Sequence, residues 1–509
     1  MVRTLPMLRA YRLALGTAAL LVGCSDDPAV SAADAAVDAV PTTDITPADV
    51  TTADAPGVVI EPEDVPPPDR PRPPDVARTE PDEARATQRQ ACTFGPGAWA
   101  AETVGREVPV GEQMPIDHII VVMQENRSFD HYFRRLPHAS NPQPDVDVAA
   151  DDWTNPRADG TLVRFHHDTE RCIRDVAHGW NPVHRQYNDG RMDGFVVTSD
   201  PAGDRALTYF DESDIPFYYA LATTFAIGDR YFSSLLGPTA PNRIYLMAGT
   251  SFGLAHNTLV SQDTRNTPVN HLFSSLDAAG VSWKDYAGGP RMLGFFPYYG
   301  ILRGATREHY GSIDELHRDL AAGTLPAVTI VEPNYVGDGG DRVDEHPPGI
   351  PMQGERYVER IVRSLMTSPL WARSALFVVY DEHGGFADHA VPPAACEPDA
   401  LTPRINGTPA PGRFDRLGVR VPFLVVSPYA RRHFVSHRTF DHASILRFIE
   451  ARFGLPALTR RDANANIPTD LFDFANPPFM TPPTLPSAGA VDPAVRARCA
   501  REFPSEGAF

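Results

Sequence analysis

The chain has 509 residues, 42% of them hydrophobic and 22% charged, enough for one large core or two medium ones, which excludes a small disulfide scaffold. A formal net charge of −19 and a pI near 5.3 exclude the basic face that a nucleic-acid groove requires. Residues 25–90 hold about fifteen acids against about five bases, so the remaining body is only mildly acidic and can carry a local positive site.

At the N-terminus, Arg3 and Arg9 precede an apolar run from Leu13 to Val22 that ends Leu21-Val22-Gly23-Cys24. About ten apolar residues are too few to span a bilayer, and the layout is that of an export signal. Small residues directly before a cysteine resemble the bacterial lipoprotein signal, in which Cys24 becomes the lipidated first residue. An ordinary secretory signal with an incidental cysteine is the alternative. The expected division is a signal over 1–24, a disordered Pro/Ala/Asp-rich tether over 25–90, a catalytic domain over 91–485 and a C-terminal tail over 486–509. The tether is expected because Ser25 to Arg89 contains no aromatic residue and cannot bury enough apolar surface to offset its ordering entropy. A secreted propeptide is the other reading of that segment. Export permits disulfides, and Cys92, Cys172, Cys396 and Cys499 allow three pairings, read here as up to two structural bridges of open connectivity.

Beyond Cys92, short apolar runs alternate with helical patterns. Ile119–Met123, Val328–Val331, Leu376–Tyr380 and Phe423–Val426 are continuous Val/Ile-rich runs, which suit strands buried on both faces of a parallel sheet. Leu272–Ala279, Tyr357–Met366 and His442–Phe453 have helical spacing, the last with Ile445, Phe448, Ile449 and Phe453 on one face. Such alternation predicts an α/β fold with a mostly parallel central sheet flanked by helices. The segments 134–200, 286–312 and 387–418 lack a strong period and read as long insertions.

Ligands of such sheets bind beyond the carboxyl ends of the strands. There the sequence is polar and acidic: Gln124-Glu125-Asn126-Arg127 follows the first run, Glu332-Pro333-Asn334 the second, and Asp381-Glu382-His383-Gly384-Gly385 the third. Carboxylates gathered at one sheet end repel unless a cation lies between them, so one divalent metal ion is expected, of a kind that oxygen or mixed oxygen and imidazole ligands leave open. Solvated loop acids paired with bases such as Arg127 are the plainer alternative. Thr239, just before Pro241 and a helical pattern, sits where a helix N-terminus stabilises an alkoxide or bound phosphate, although a threonine there also serves as a simple cap. His178, His184 and His346 supply acid and base candidates.

The stretch from Ile116 to Phe133, containing Met123-Gln124-Glu125-Asn126-Arg127-Ser128-Phe129-Asp130-His131, resembles the opening signature of a bacterial phosphoesterase family that includes phospholipases C and acid phosphatases. Gly237-Pro238-Thr239-Ala240-Pro241-Asn242-Arg243 and Asp381-Glu382-His383-Gly384-Gly385-Phe386 resemble its second and third blocks, and the likeness spans about 114–455. It implies an alkaline-phosphatase-like α/β fold and hydrolysis through a hydroxyl nucleophile beside a bound metal. By position it implies Thr239 as nucleophile, through a phosphothreonine intermediate, and Glu125, Asn126, Asp381 and Glu382 as metal-site residues. His178 and His346 then make phosphate contacts or transfer protons, with Asn242 and His184 as substrate-binding candidates. Arg134-Arg135 after Phe133, and Ala387 where an aromatic residue is usual, depart from the pattern at the expected pocket mouth. The implied activity is a phospholipase C acting on phospholipid-like phosphodiesters, with a soluble phosphomonoesterase or a non-catalytic surface lipoprotein as alternatives. The expected protein is exported and held to a membrane by lipid, in the periplasm or at the cell surface, and no protein or nucleic-acid partner is indicated.

Overall fold

In a computed structural model that describes residues 77–257, 270–288, 307–335, 340 and 342–504, the apolar runs form the centre of an eight-stranded sheet. The strands are β1 (His118–Gln124), β2 (Ala226–Gly228), β3 (Trp283–Ala287), β4 (Tyr310–Ser312), β5 (Val328–Glu332), β6 (Ser374–Tyr380), β7 (Phe423–Val426) and β8 (Phe434–Ser436). Their spatial order is β8-β2-β7-β6-β1-β5-β3-β4. All neighbours are parallel except at β7, which is antiparallel to both β6 and β2. The sheet is therefore mostly parallel, but the run Phe423–Val426 is not one of its parallel members. Continuous apolarity reports burial on both faces and carries no information on strand direction.

The register decides where chemistry can collect. Gln124 lies opposite Tyr380, so β1 and β6 end together and release Glu125 and Asp381 side by side. β5 runs along the other edge of β1, with Val122 opposite Val331.

The helices used below are α1 (Asp82–Gln90), α2 (Phe129–Phe133), α3 (Trp180–Tyr187), α4 (Thr239–Ala248), α5 (Leu272–Ala279), α6 (Ile313–Ala322), α7 (Pro351–Thr367), α8 (His442–Phe453) and α9 (Pro493–Glu502). Local sequence sets their ends. Ser312 accepts a hydrogen bond from Glu315 N while the Glu315 carboxylate accepts one from Ser312 N, a reciprocal cap for α6. Gly454 closes α8 in the left-handed region that an L side chain adopts only at a cost.

Residues 1–76, with Cys24 and most of the expected tether, lie outside the described residues, as do 289–306 of the expected insertion 286–312. The end of the tether reads differently from expectation, because residues 82–90 form α1. Buried Arg89 there pairs with Asp82 at 2.9 Å and donates to Thr103 O, and Arg438 reaches the same Asp82. Composition averaged over a long window hides nine helix-forming residues at its edge. The expected tail likewise contains α9. Cys92 is bonded to Cys396 and Cys172 to Cys499, so the bridges fasten the segment after α1, and α9, onto two of the expected insertions.

One charged network lies beside α2, built by residues far apart in sequence. The His389 imidazole sits 2.7 Å from Asp130 Oδ2 and 3.1 Å from Asp147 Oδ1, and Arg420 donates to Asp388 and Asp130. Burial opposes a charged imidazole, but Asp130 and Asp147 outweigh it and hold the His389 pKa up to about 10. A folded-state pKa above the ordinary 6.5 means that this stabilisation is complete below about pH 6.5 and lost as pH rises toward 10. Denaturant-derived stability should decline across that window, and His389→Gln should flatten the decline. An unchanged slope in the variant would place the loss elsewhere.

Candidate active site

The ends of β1 and β6 interlock through their own backbones. Asp381 N donates to Gln124 O at 3.2 Å, Asn126 N to Asp381 Oδ1 at 3.1 Å, and Arg127 N to Glu382 O at 3.1 Å. Asn126 has φ +60°, and Gly384 passes so close that a Cβ there would lie 2.3 Å from Asn126 O. Glycine at 384, itself at φ +64°, is what lets the two loops interleave. The geometry thus brings together all four residues expected at the metal site, Glu125, Asn126, Asp381 and Glu382, and buries them.

Their charges are not left to face one another. Arg243, fully buried on α4, donates through Nε to Asp381 Oδ2 at 3.0 Å and lies 3.3 Å from Glu125 Oε1. Its remaining donors reach Tyr335 OH, Gln124 O and Met123 O at 2.8, 3.1 and 3.3 Å. Burial still raises the Glu125 carboxyl well above its usual range, with Asp381 and Asp344 adding to it against Arg243. Burial, reinforced by Glu382, raises Asp381 to about 6 despite Arg243. The repulsion from which a cation was expected is therefore partly answered by a protein guanidinium. What Arg243 does not answer are two buried oxygens without any hydrogen-bond partner, Asn126 Oδ1 and Glu382 Oε1. Both are hard oxygens of the kind that divalent cations such as Mg and Ca take as ligands.

Thr239 opens α4 and is buried. Arg243 follows it by one helical turn, so both lie on one face, about 6 Å apart along the axis. Asn242 does not present a free amide to a substrate. Its Oδ1 accepts from Leu235 N at 3.0 Å, and its Nδ2 donates to Gly237 O at 2.9 Å and Pro238 O at 3.1 Å, which clamps the turn that delivers Thr239. Substrate binding was expected of it from its position in the resembling block, which does not reveal that its partners are its own neighbours.

His178 and His346 are brought together, their ring centroids 5.5 Å apart. Each Nδ1 faces a backbone carbonyl, Val176 O at 2.6 Å for His178 and Pro347 O for His346, which places the proton on Nδ1 and leaves Nε2 as an acceptor. Asp175, His178 and His346 also form a set compact enough to hold a metal ion. Burial, then Arg342 and His178, hold the His346 pKa well below the usual value, so its imidazole is neutral. His184 is not placed with this pair. It donates through Nδ1 to Trp180 O at 2.8 Å and packs on the Trp180 ring, one layer behind Gly237.

Several contributors carried no sequence signal strong enough to single them out. His442 donates to Asp381 O at 2.7 Å and accepts from Tyr231 OH at 2.9 Å. Burial lowers its pKa to about 4, so it is a neutral bracket under the β6 loop. Buried Glu345 accepts from the hydroxyls of Tyr132, Tyr218 and Tyr380 and from Gln124 Nε2, and its carbonyl accepts from Arg127 Nε at 3.0 Å. Arg243 alone had a usable signal, one helical turn after the threonine.

The chain is 34% identical over 435 residues to phospholipase C B of Mycobacterium tuberculosis, covering 74% of this chain and 81% of that protein. It is 31% identical over 434 residues to the non-hemolytic phospholipase C of Pseudomonas aeruginosa, covering 75% and 60%. Among solved structures, a protein in the alkaline phosphatase superfamily from Vibrio parahaemolyticus aligns at a TM-score of 0.36 and 9% identity, covering 76% of this chain and 79% of that one. The model of the Phosphoesterase family matches residues 116–456, which contain the β1 and β6 loops, Thr239 and the histidine pair. On that match, and on relatives above 30% identity along three quarters of its length, the chain belongs to the phosphoesterase family, hydrolases that act on phosphate esters.

Proposed function

We propose that this protein is a metal-dependent phospholipase C-type hydrolase of phospholipid-like phosphodiesters, with an alkaline-phosphatase-like fold and Thr239 as its nucleophile. The observation that carries the reading is the pair of orphaned buried oxygens, on Asn126 and Glu382, in loops whose Asp381 and Glu125 are held by Arg243, one helical turn after Thr239. The names of the relatives supply the lipid substrate class.

In this reading Asn126 and Glu382 would hold a divalent cation, with Glu125 and Asp381 beside them. When bound, such an ion lowers the pKa of a nearby hydroxyl and neutralises charge on phosphoryl oxygens. Thr239 Oγ1 attacks phosphorus, a phosphothreonine forms, and the bond to the diacylglycerol-type alcohol breaks. The α4 N-terminus favours the developing negative charge. Neutral His346 accepts the threonine proton and returns it to the leaving oxygen, which suits a low-pKa imidazole better than the role of resting acid. His346 is preferred over His178 for this step because His178 Nε2 already faces Asn126 Nδ2 at 3.1 Å. Water then releases the phosphorylated headgroup.

The reading places the protein outside the cytoplasm, anchored through a lipid on Cys24, where the anchor brings the site close to its substrate. Two disulfides suit an oxidising compartment, and no helix among the described residues is long and apolar enough to cross a membrane. The test is a paired assay on purified protein with p-nitrophenylphosphorylcholine and p-nitrophenyl phosphate, each after chelation and after metal add-back. Faster release from the diester, lost on chelation and regained with metal, is expected. Preference for the monoester would make the protein a phosphatase, and indifference to chelator would remove the metal.

A further inference from the structure

Glu345 directly precedes His346 and has φ +73°, a left-handed backbone that a glutamate adopts only where its surroundings impose it. Here they hold it at both ends. Its carboxylate accepts four hydrogen bonds, at Oε1 from Tyr218 OH and Gln124 Nε2 at 2.5 and 3.0 Å, and at Oε2 from Tyr132 OH and Tyr380 OH, the last at 2.6 Å. Its carbonyl accepts two more, from Nε and Nη2 of Arg127. We propose that Glu345 is a positioning residue for His346, the anchor that fixes the turn carrying the proton-transferring imidazole. The proposal rests on the role given to His346 above.

These bonds are compatible with one another. Each tyrosine has a single hydroxyl proton and gives it to Glu345, while Gln124 has two amide protons and gives the second to Val343 O at 3.0 Å. Carboxylate and carbonyl oxygens only accept, so every donor is used once. The four side chains come from β1, α2, the helix Pro216–Thr224 and β6, which ties residue 345 to four separate elements of the core. All four are buried, so no hydroxyl or amide among them turns to solvent instead.

Two adjacent residues of α7 make room for this anchor and hold one of its donors. Gly354 brings the helix so close that a Cβ there would lie 2.2 Å from Glu345 Oε1, which accounts for a glycine inside a helix. Glu355 accepts from Phe217 N and Tyr218 N at 2.7 and 3.1 Å and so fixes the start of the helix that carries Tyr218. The neighbours of Glu345 then take their places. Asp344 O accepts from Glu125 N at 2.9 Å, and Asp344 Oδ1, gripped by Arg342, accepts from His346 N at 3.2 Å. With the turn pinned on either side of it, the His346 ring stays against that of His178. Proton transfer needs hydrogen-bond reach, so a small rotation at residue 345 is enough to disable it.

The experiment compares two substrates that pass on the same phosphorylcholine group and differ in the leaving oxygen, p-nitrophenylphosphorylcholine and a soluble short-chain phosphatidylcholine. A nitrophenolate leaves as a stable anion, whereas the alcohol of the lipid must gain a proton as it leaves. Loss of a positioned acid therefore falls hardest on the lipid, while general loosening of the structure lowers both alike. For Glu345→Ala we expect kcat on the lipid to fall by about 10²–10⁴-fold, the usual contribution of a proton-transfer group, and the loss on the nitrophenyl ester to be at least about tenfold smaller. His346→Gln, the benchmark, should discriminate in the same direction. Glu345→Gln keeps the size and one acceptor oxygen and should recover part of the loss. Tyr218→Phe removes one donor without opening a cavity and should show the same preference at smaller size, so these two variants decide the matter if the alanine variant does not fold. Tyr219→Phe removes a buried hydroxyl that bonds Phe210 O instead, and should leave the ratio of the two rates unchanged. If the parent cleaves neither diester, or if His346→Gln does not discriminate between them, the reading above fails and this inference falls with it. If His346→Gln discriminates while the Glu345 and Tyr218 variants lower both rates equally or not at all, the inference alone is overturned.

Discussion

Thr239→Ala is expected to lower turnover of every phosphate ester substrate by about 10³–10⁶-fold, the usual cost of removing the nucleophile of a covalent mechanism. The fold should hardly notice. No side chain caps α4, alanine is the better helix former, and the turn before Thr239 is clamped by Asn242 rather than by the threonine hydroxyl. Stability within about 1 kcal/mol of the parent is therefore expected, so lost activity would not be lost structure. Thr239→Ser keeps the hydroxyl and should retain most of the activity. Incubation with a slow phosphodiester followed by acid quench and mass analysis should find the phosphorylated headgroup on residue 239 in the parent and none in the alanine variant. Turnover of Thr239→Ala within tenfold of the parent would remove Thr239 from the role of nucleophile.

How much of this site could be read from the sequence depends on what each residue's role requires. β1, β5 and β6 were legible because strands buried on both faces must be apolar without interruption, and their carboxyl ends pointed directly to Glu125, Asn126, Asp381 and Glu382. β2 and β4 have three residues each, and β3 reads Trp-Lys-Asp-Tyr-Ala, so neither length nor alternation marked them. Their place is set by pairing with stronger neighbours. Asn242 and His184 bind their own neighbours here, and a polar side chain near a site is as able to bind its own loop as a ligand, a choice that sequence does not show. His442 acts through a partner about 60 residues away, and a lone histidine on a helix gives no sign of that. Proximity of the histidine pair was likewise invisible, since the two rings come from loops more than 160 residues apart.

Arg243→Met should have the largest effect on stability, and its pH dependence is the informative part. The methionine fills much of the same space but removes every hydrogen bond of a fully buried guanidinium and the positive charge between Glu125 and Asp381. Breaking a buried ion pair from one side typically costs about 3–5 kcal/mol, because the stranded charge remains desolvated. The stranded carboxylates have one escape, which is to bind a proton. Burial already holds Asp381 at about 6, above its ordinary 3.8, and Glu125 is also raised, so without Arg243 both shift further upward. A native state that binds more protons than the unfolded chain loses stability as pH rises. The deficit of the variant against the parent should therefore be larger at pH 8 than at pH 5, read from urea midpoints on chelator-stripped protein. Turnover should collapse as well, since Arg243 braces Met123 O and Gln124 O at the end of β1 and stands one turn from Thr239. A deficit independent of pH would mean that packing dominates what Arg243 contributes. No deficit at all would mean that the carboxylates it touches carry no charge in the parent, and that the cation site is already neutral before any metal binds.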